Sequence, residues 1–480
     1  MGSTVAIVVL FAFILFGFAI EAQRRKVVTN AVWLPLFWMG ICASRSVGQW
    51  LNISGRNIPV SEAEMAEANL RGSPVDQIVL SIAMVLGIII LFRRGKSLVR
   101  VFKNNKALLA FTIYLGITVL WSDISEVSFR GWVKFTCNFV MAAVLMTEPE
   151  PLESIRSVFR RLAYLLIPLS VILVKYFPQM GVLYTHQGVK LMTGVAVMKN
   201  GLAHLCFVIS FFLVWDMIST WGRKIEMKFS GGLFGIMIVL LVSPLCKRNP
   251  VYSSSVPKFI SILYDMIILM MSLWLLLGRG HSTSAASKGS LIVGIVILIG
   301  SRISIIKRNF GRVGVLVLLA TCLFLVLEFS FGIIELTVTG LGRDMTFTER
   351  VPLWNILVGL GQRKPYFGYG YNGFWIGDRS SIEGLSQAHS GYLELFLQGG
   401  WVAIILFGGL LVSVFRKIQR NSLFHYENAV FQLCFFAMIL LANVTESAFA
   451  SERELLTFVF YIIAMNDSTS RENVRPLALN

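Results

Sequence analysis

The sequence predicts an all-α polytopic membrane protein of about 13 transmembrane helices (range about 12–14) with one large loop carrying short helices. Three observations predict it. Of 480 residues, 56% are hydrophobic and only 14% charged, against about 25% charged in soluble domains. The mean hydropathy is +0.72. Apolar runs long enough to cross a hydrocarbon core of roughly 30 Å recur from end to end. No period of 20–50 residues and no two-halves symmetry is visible.

In chain order the apolar runs fall near 4–20, 31–46, 78–92, 107–121, 131–146, 160–176, 201–218, 231–245, 259–277, 289–301, 313–335, 400–415, 429–443 and 453–466. The first lacks a basic leader, which makes it a span rather than a signal peptide. Basic segments at 24–26, 93–106, 155–161, 301–312 and 416–420 are expected on the cytoplasmic side, because Lys and Arg are retained there. Segments 47–77, 122–130, 177–200, 336–399 and 444–452 then face outward, the periplasm in a bacterium, with the N-terminus outside and the C-terminus inside. Both flanks of 231–245 are basic, so that run is expected to be re-entrant or interfacial and not to span. The sequence thus divides into a bundle with short outer loops (1–335), a large outer loop (336–399) and C-terminal spans with a tail (400–480).

The formal charge is +17, from 43 Lys and Arg against 26 Asp and Glu. In a membrane protein most of this excess belongs to cytoplasmic loops, so no nucleic-acid partner is implied. The six cysteines lie far apart in or beside apolar runs. They fit neither a zinc site nor a disulfide framework.

The large loop is expected to hold two helices. One starts between Thr348 and Pro352, because proline is tolerated in a first turn. Its apolar face comes from Trp354, Leu357, Val358 and Val351. The other runs from about Ala388 to Gln398 and stops at Gly399-Gly400. Between them YFGYGYNGFW (366–375) is rich in aromatic residues and glycine; the glycines suit close backbone approach to a ligand, and the aromatic faces suit sugar rings and the membrane interface alike.

Five outward segments carry groups that could do chemistry: WSDISEVSFR with Arg130, GVAVMKNGL with Lys199 and Asn200, HSTSAASKGS with Lys288, GRDMTFTERVPLWN with Arg343 and Arg350, and QAHSGYLELFLQGG with His389. Cations on the outer side run against the positive-inside rule and need a partner. Guanidinium forks match phosphate. Snorkelling to lipid, or pairing with Asp344 or Glu349, would explain each singly. A partly solvated His389 at the start of a helix could serve as a general base near neutral pH; His186 is a second candidate. Together these groups suit transfer of a sugar from a lipid diphosphate to a hydroxyl. Such a reaction needs a base and cations on the departing diphosphate. It needs neither a glycosidase carboxylate pair nor a metal where arginines neutralise the charge. Asp344, Asp378 and Glu446 are the residues left for a metal. Few charged residues fall within the spans, an argument against a transporter of lipid-linked glycan.

The sequence resembles the bacterial O-antigen ligase and O-antigen/exopolysaccharide polymerase family. The resemblance rests on GRDMTFTERVPLW followed by AHSGYLELFLQGGWVAI, with LWSDISEVSFRG, GVAVMKN and NVTES (443–447) in support, all within residues 120–447. It implies a multi-span C-type glycosyltransferase of the bacterial inner membrane with its active site facing the periplasm. The implied substrates are an undecaprenyl-diphosphate-linked oligosaccharide and an acceptor glycan, with membrane lipid around them. Chain-length regulator or flippase proteins are implied partners, and no cofactor is implied. By the resemblance His389 is the base, Arg350, Arg343 and Arg130 hold diphosphate, and Lys199 and Lys288 assist. Asn200, Trp354 and Glu446 support them. The sequence departs from its relatives at Ser287-Lys288-Gly289, where Ser-Arg or Ser-Lys-Thr is usual, and at Ser125, where many have proline. The GRD…LW wording is closer to the polymerase branch, which adds glycan to another lipid-linked repeat, than to ligases, which add it to lipid A-core.

Overall fold

A computed structural model describes residues 2–24, 28–51, 73–184, 188–221, 258–278, 284–312, 314–315, 350–375, 379, 382, 387–449 and 451–467. The apolar run 231–245, all of the run 313–335 but residues 314–315, and the residues Arg343, Asp344, Glu349, Asp378 and His186 lie outside the described residues.

The described chain is helical apart from one small hairpin. In order, it runs through α1 (Ser3–Arg24), α2 (Trp33–Ala43), α3 (Val47–Trp50), α4 (Pro74–Arg93), α5 (Gly95–Asn104), α6 (Lys106–Ile117), α7 (Ser125–Met146), α8 (Pro151–Tyr176) and α9 (Pro178–Gly181). The antiparallel pair β1 (Val182–Tyr184) and β2 (Lys190–Met192) follows, in register Val182 to Met192. Then come α10 (Lys199–Trp221), α11 (Lys258–Leu277), α12 (Ala285–Gly300), α13 (Ser304–Arg308), α14 (Arg350–Gly361), α15 (Gly391–Ser422), α16 (Tyr426–Ala442) and α17 (Leu455–Met465). Six of the described helices, α1, α4, α8, α10, α11 and α15, are long and apolar enough to cross a membrane. The protein is an all-α, multi-pass membrane protein.

Helix ends follow the sequence. Ser73 caps α4 by accepting from the Asp76 N–H at 3.4 Å, Pro74 occupies the first turn and Arg93 the last, as the helix dipole favours. The Asp76 carboxylate also accepts from the Gly48 N–H at 2.8 Å, tying α4 to α3.

The chain forms two compact units. The first comprises residues 1–44 and 148–291. Here α8 and α10 form the interior, with 78% and 83% of their most apolar stretch buried, while α1 has 22% and turns its exposed Val8, Phe11 and Leu15 outward, as a lipid-facing helix does. The second unit comprises 45–147 and 292–480. In it α15 packs against α6, α14 and α16, and α7 against α4 and α17.

One expectation needs correction. The helices of the first unit are not poor in charge: segment 155–161 lies within α8, and Arg156, Arg160 and Arg161 are buried. Arg160 donates to Asp216 through Nε at 2.9 Å and Nη2 at 2.6 Å and lies 3.5 Å from Glu21. Arg24 pairs with Asp265 at 2.9 Å, which also accepts from the Tyr164 hydroxyl at 2.5 Å. Arg161 stacks over Trp33 at 4.6 Å. Counting residues per span misses this cluster, because its members come from four helices, α1, α8, α10 and α11, and meet only in the fold. The argument against transport from a charge-free interior therefore falls.

Candidate functional site

The second unit carries a compact outer layer built on α14 and the first turns of α15. Leu353, Leu357, Tyr369, Phe374, Ala388, Leu393 and Leu397 form its buried core, with Trp354, Trp375, Ile382 and Phe396 packed around them. The expected apolar face of α14 is thus rotated slightly: Leu353 joins Leu357 inside, whereas Val358 is exposed. Residues three and four apart share a helix face, and 353, 357 and 360 satisfy that spacing.

Helix α15 breaks where the sequence places its glycine pair. Gly400 has φ 63° and ψ −163°. Breaking a helix frees backbone groups that need partners, above all near lipid. The glycine-rich segment supplies them. Tyr369 N–H and Gly370 N–H donate to the carbonyls of Leu397 and Gln398, each at 2.9 Å, and Trp401 N–H donates to Pro365 O at 2.8 Å. The Tyr114 hydroxyl caps the Gly399 carbonyl at 2.7 Å. A Cβ on Gly368 would stand 2.5 Å from the Gln398 carbonyl carbon, and one on Gly400 2.3 Å from the Tyr366 carbonyl. The close backbone approach that these glycines allow is made to α15. Tyr366 and Phe367 remain exposed.

His389 stands immediately before the Ser390 cap of α15, in the left-handed region at φ 48°. That conformation disfavours L-residues by roughly 1–2 kcal/mol, so the surroundings must hold it. Three elements do. The Trp354 indole donates to the Ala388 carbonyl at 2.8 Å. The Glu394 carboxylate accepts from the Ala388 N–H at 3.0 Å. The turn after α16 accepts from Ser390 N–H at the Ser447 hydroxyl (3.2 Å) and from Gly391 N–H at the Asn443 carbonyl (2.9 Å). Only 7% of His389 is exposed, where partial solvation was expected: the hydrogen-bonded turn folds it inward.

The other predicted residues fall as follows. Arg350 is the first residue of α14, one helical turn before Trp354. Glu446, 7% exposed, lies in the turn that accepts from the Ser390 and Gly391 N–H groups just after His389. Arg130 is not in a loop but one turn inside α7. Its guanidinium lies 3.7 Å from Glu126 and its side chain is 34% exposed. Lys199 and Asn200 begin α10. Lys288 lies in α12 and donates to the Leu277 carbonyl at 3.4 Å. These last three belong to the first unit. The second unit therefore brings together His389, Trp354, Glu446 and the head of α14. Among the described residues no group of three His, Cys, Asp or Glu could hold a metal ion.

Sequence reasoning missed Glu394. Its carboxylate also accepts from the Trp375 indole at 2.8 Å and the Gln398 amide at 3.0 Å. The signal was available: a lone acid in GYLELFLQGG, on the face of an otherwise apolar helix, must be paired when buried. A second acid, Asp123, was passed over beside Arg130. It binds Arg379 at 2.5 Å and Lys364 at 3.4 Å, and the hydrogen bond from Arg379 holds its carboxyl below the usual carboxylate range. Both cations lie over the Tyr369 ring, at 4.6 and 4.7 Å.

Residues 266–408, somewhat under a third of the chain, match the family model described as O-antigen ligase. The match includes α11, α12, α14, Lys288, His389 and the broken part of α15. It supports membership of the O-antigen ligase and polymerase family, whose members are glycosyltransferase-like enzymes acting on lipid-linked glycans. No curated protein matches the chain.

Proposed function

We propose that this protein is a polysaccharide polymerase. In this reading it transfers glycan from undecaprenyl diphosphate to a sugar hydroxyl of another lipid-linked repeat, at the periplasmic face of the inner membrane, within a bundle of about 13 spans. The observation that carries the reading is His389. It is an imidazole on a rigid left-handed turn, braced by three elements, inside the segment that matches the family. In the proposed step the acceptor hydroxyl attacks the anomeric carbon from the face opposite the diphosphate. The C–O bond to the diphosphate breaks, His389 takes the hydroxyl proton, and the anomeric configuration inverts. Arg350, Arg343 and Arg130 are assigned to the departing diphosphate, with Lys199 and Lys288 in support. Their forks and charges stabilise the negative charge that develops there. The step so written balances without a metal. Asn200, Trp354 and Glu446 are assigned to support, Trp354 because its indole holds the carbonyl beside His389.

The family description itself favours a second reading, a ligase that delivers the glycan to lipid A-core or to protein. Purified protein in lipid nanodiscs, given only lipid-linked repeat units, distinguishes the two. A ladder of longer lipid-linked glycans supports polymerase. Product formed only when lipid A-core or acceptor protein is added supports ligase, and no product with any acceptor contradicts both. Arg350→Lys is expected to fail in the same assay, because a point charge does not replace a planar fork. A wild-type rate in that variant removes Arg350 from the diphosphate site.

A further inference from the structure

One polar chain runs through the second unit from the His389 turn to the helix that bears Arg130. The Ala388 N–H donates to Glu394. Gln398 donates to the same carboxylate through Nε2 and, through Oε1, accepts from the Asn372 N–H at 3.2 Å. The Asn372 side chain donates to Glu452 at 3.1 Å. The other oxygen of Glu452 takes Lys134 Nζ at 2.9 Å, and its backbone carbonyl takes the Asn138 amide at 3.2 Å. Lys134 and Asn138 lie on α7, one and two turns beyond Arg130. Gly131, the residue after Arg130, packs so tightly that a Cβ there would stand 2.3 Å from Asn372 Nδ2 and 2.9 Å from Glu452.

Two features mark this chain as more than packing. Among the described residues the non-glycine positions with positive φ are His389 and Asn372, at 48° and 52°; Asn372 is a member of the chain and His389 directly follows Ala388, at its head. Strained backbone persists only where the surroundings over-determine it. The chain also joins five separate elements: the loop before α15, α15 itself, the glycine-rich segment, the α16–α17 connection and α7.

We infer that Glu452, acting through Asn372, Gln398 and Glu394, is a positioning residue that sets the His389 turn relative to the Arg130 segment of α7. This rests on the proposed roles of those two residues. Glu452 then matters to the transition state, where base and diphosphate ligand must be in place together, and little to donor binding.

The test is a set of variants of the full-length protein in nanodiscs, assayed for transfer between lipid-linked repeat units. Glu452→Ala is expected to lower kcat about tenfold or more with donor KM within about twofold, Glu452→Gln to recover part of the loss, and Asn372→Gly to match Glu452→Ala. Asn372→Gly relieves the backbone strain, so its defect is not one of folding. Combining Glu452→Ala with Glu394→Gln is expected to do no more than the worse single variant, since both cut one chain. Losses that multiply, or a wild-type kcat in Asn372→Gly, overturn the inference. Hydrogen exchange at residues 387–391 gives a readout independent of turnover. It is expected to quicken in Glu452→Ala, and unchanged exchange overturns the positioning role. Wild-type protein that transfers nothing defeats the proposed function instead, and exchange then decides the positioning role alone.

Discussion

His389 shows how a single residue acquires a defined position. Its imidazole is held not by its own bonds alone but by its neighbours' backbone: Ala388 is fixed on both sides by Trp354 and Glu394, and Gly391 is pressed against Asn443, where a Cβ would come within 2.2 Å of the amide oxygen. Asp123 plays a humbler part, clamping Arg379 and Lys364 beside the aromatic segment. Because the Arg379 hydrogen bond lowers its folded-state pKa, its stabilisation is complete above the unfolded carboxylate value, about 3.9. It is lost as pH falls through the depressed folded value. Its side chain is 42% exposed, so the effect is local and weakened by salt. Hydrogen exchange at 366–375, relative to the intrinsic rate, is expected to rise as pH falls below about 4, and Asp123→Asn to remove that dependence.

At the level of elements, the broken helix α15 organises the outer layer. The sequence announces the break with Gly399-Gly400 and the first loop helix with Pro352, and the structure places both loop helices within a few residues of the expected starts. What could not be read was the use made of 366–375. Glycine and aromatic content are equally compatible with gripping a sugar and with gripping a helix end. The hydrogen bonds of Tyr369 and Gly370 to α15 show that it does the latter. Likewise the spacing around Arg130 gave no sign that α7 begins at Ser125, because the polar run WSDISEVSFR looks like a loop until its helical turns are seen. Gly400→Ala must adopt a positive φ and meets the Tyr366 carbonyl. It is expected to destabilise the protein by about 1–3 kcal/mol, measured as a lowered unfolding midpoint in detergent, whereas Gly408→Ala, with open space around it, is expected to change little.

At the scale of the molecule, composition was enough for the class: an all-α, multi-pass membrane protein. It was not enough for the interior of the first unit, since ion pairs between residues from four helices leave no local pattern. That cluster changes what removal of one partner does. Asp216→Ala leaves Arg160 with only the more distant Glu21, and is expected to cost about 3–5 kcal/mol of stability. Asp123→Ala at the surface is expected to cost under about 1 kcal/mol. Unfolding of both variants in the same detergent checks the contrast, and equal shifts would deny the cluster its structural role.

The central claim is that His389 takes the acceptor proton. The most direct test is the turnover of purified His389→Ala on lipid-linked repeat units, beside its unfolding midpoint. A general base contributes about a hundredfold to ten-thousandfold; the account predicts a loss of that size with the midpoint unchanged. Turnover within about tenfold of wild type would contradict it.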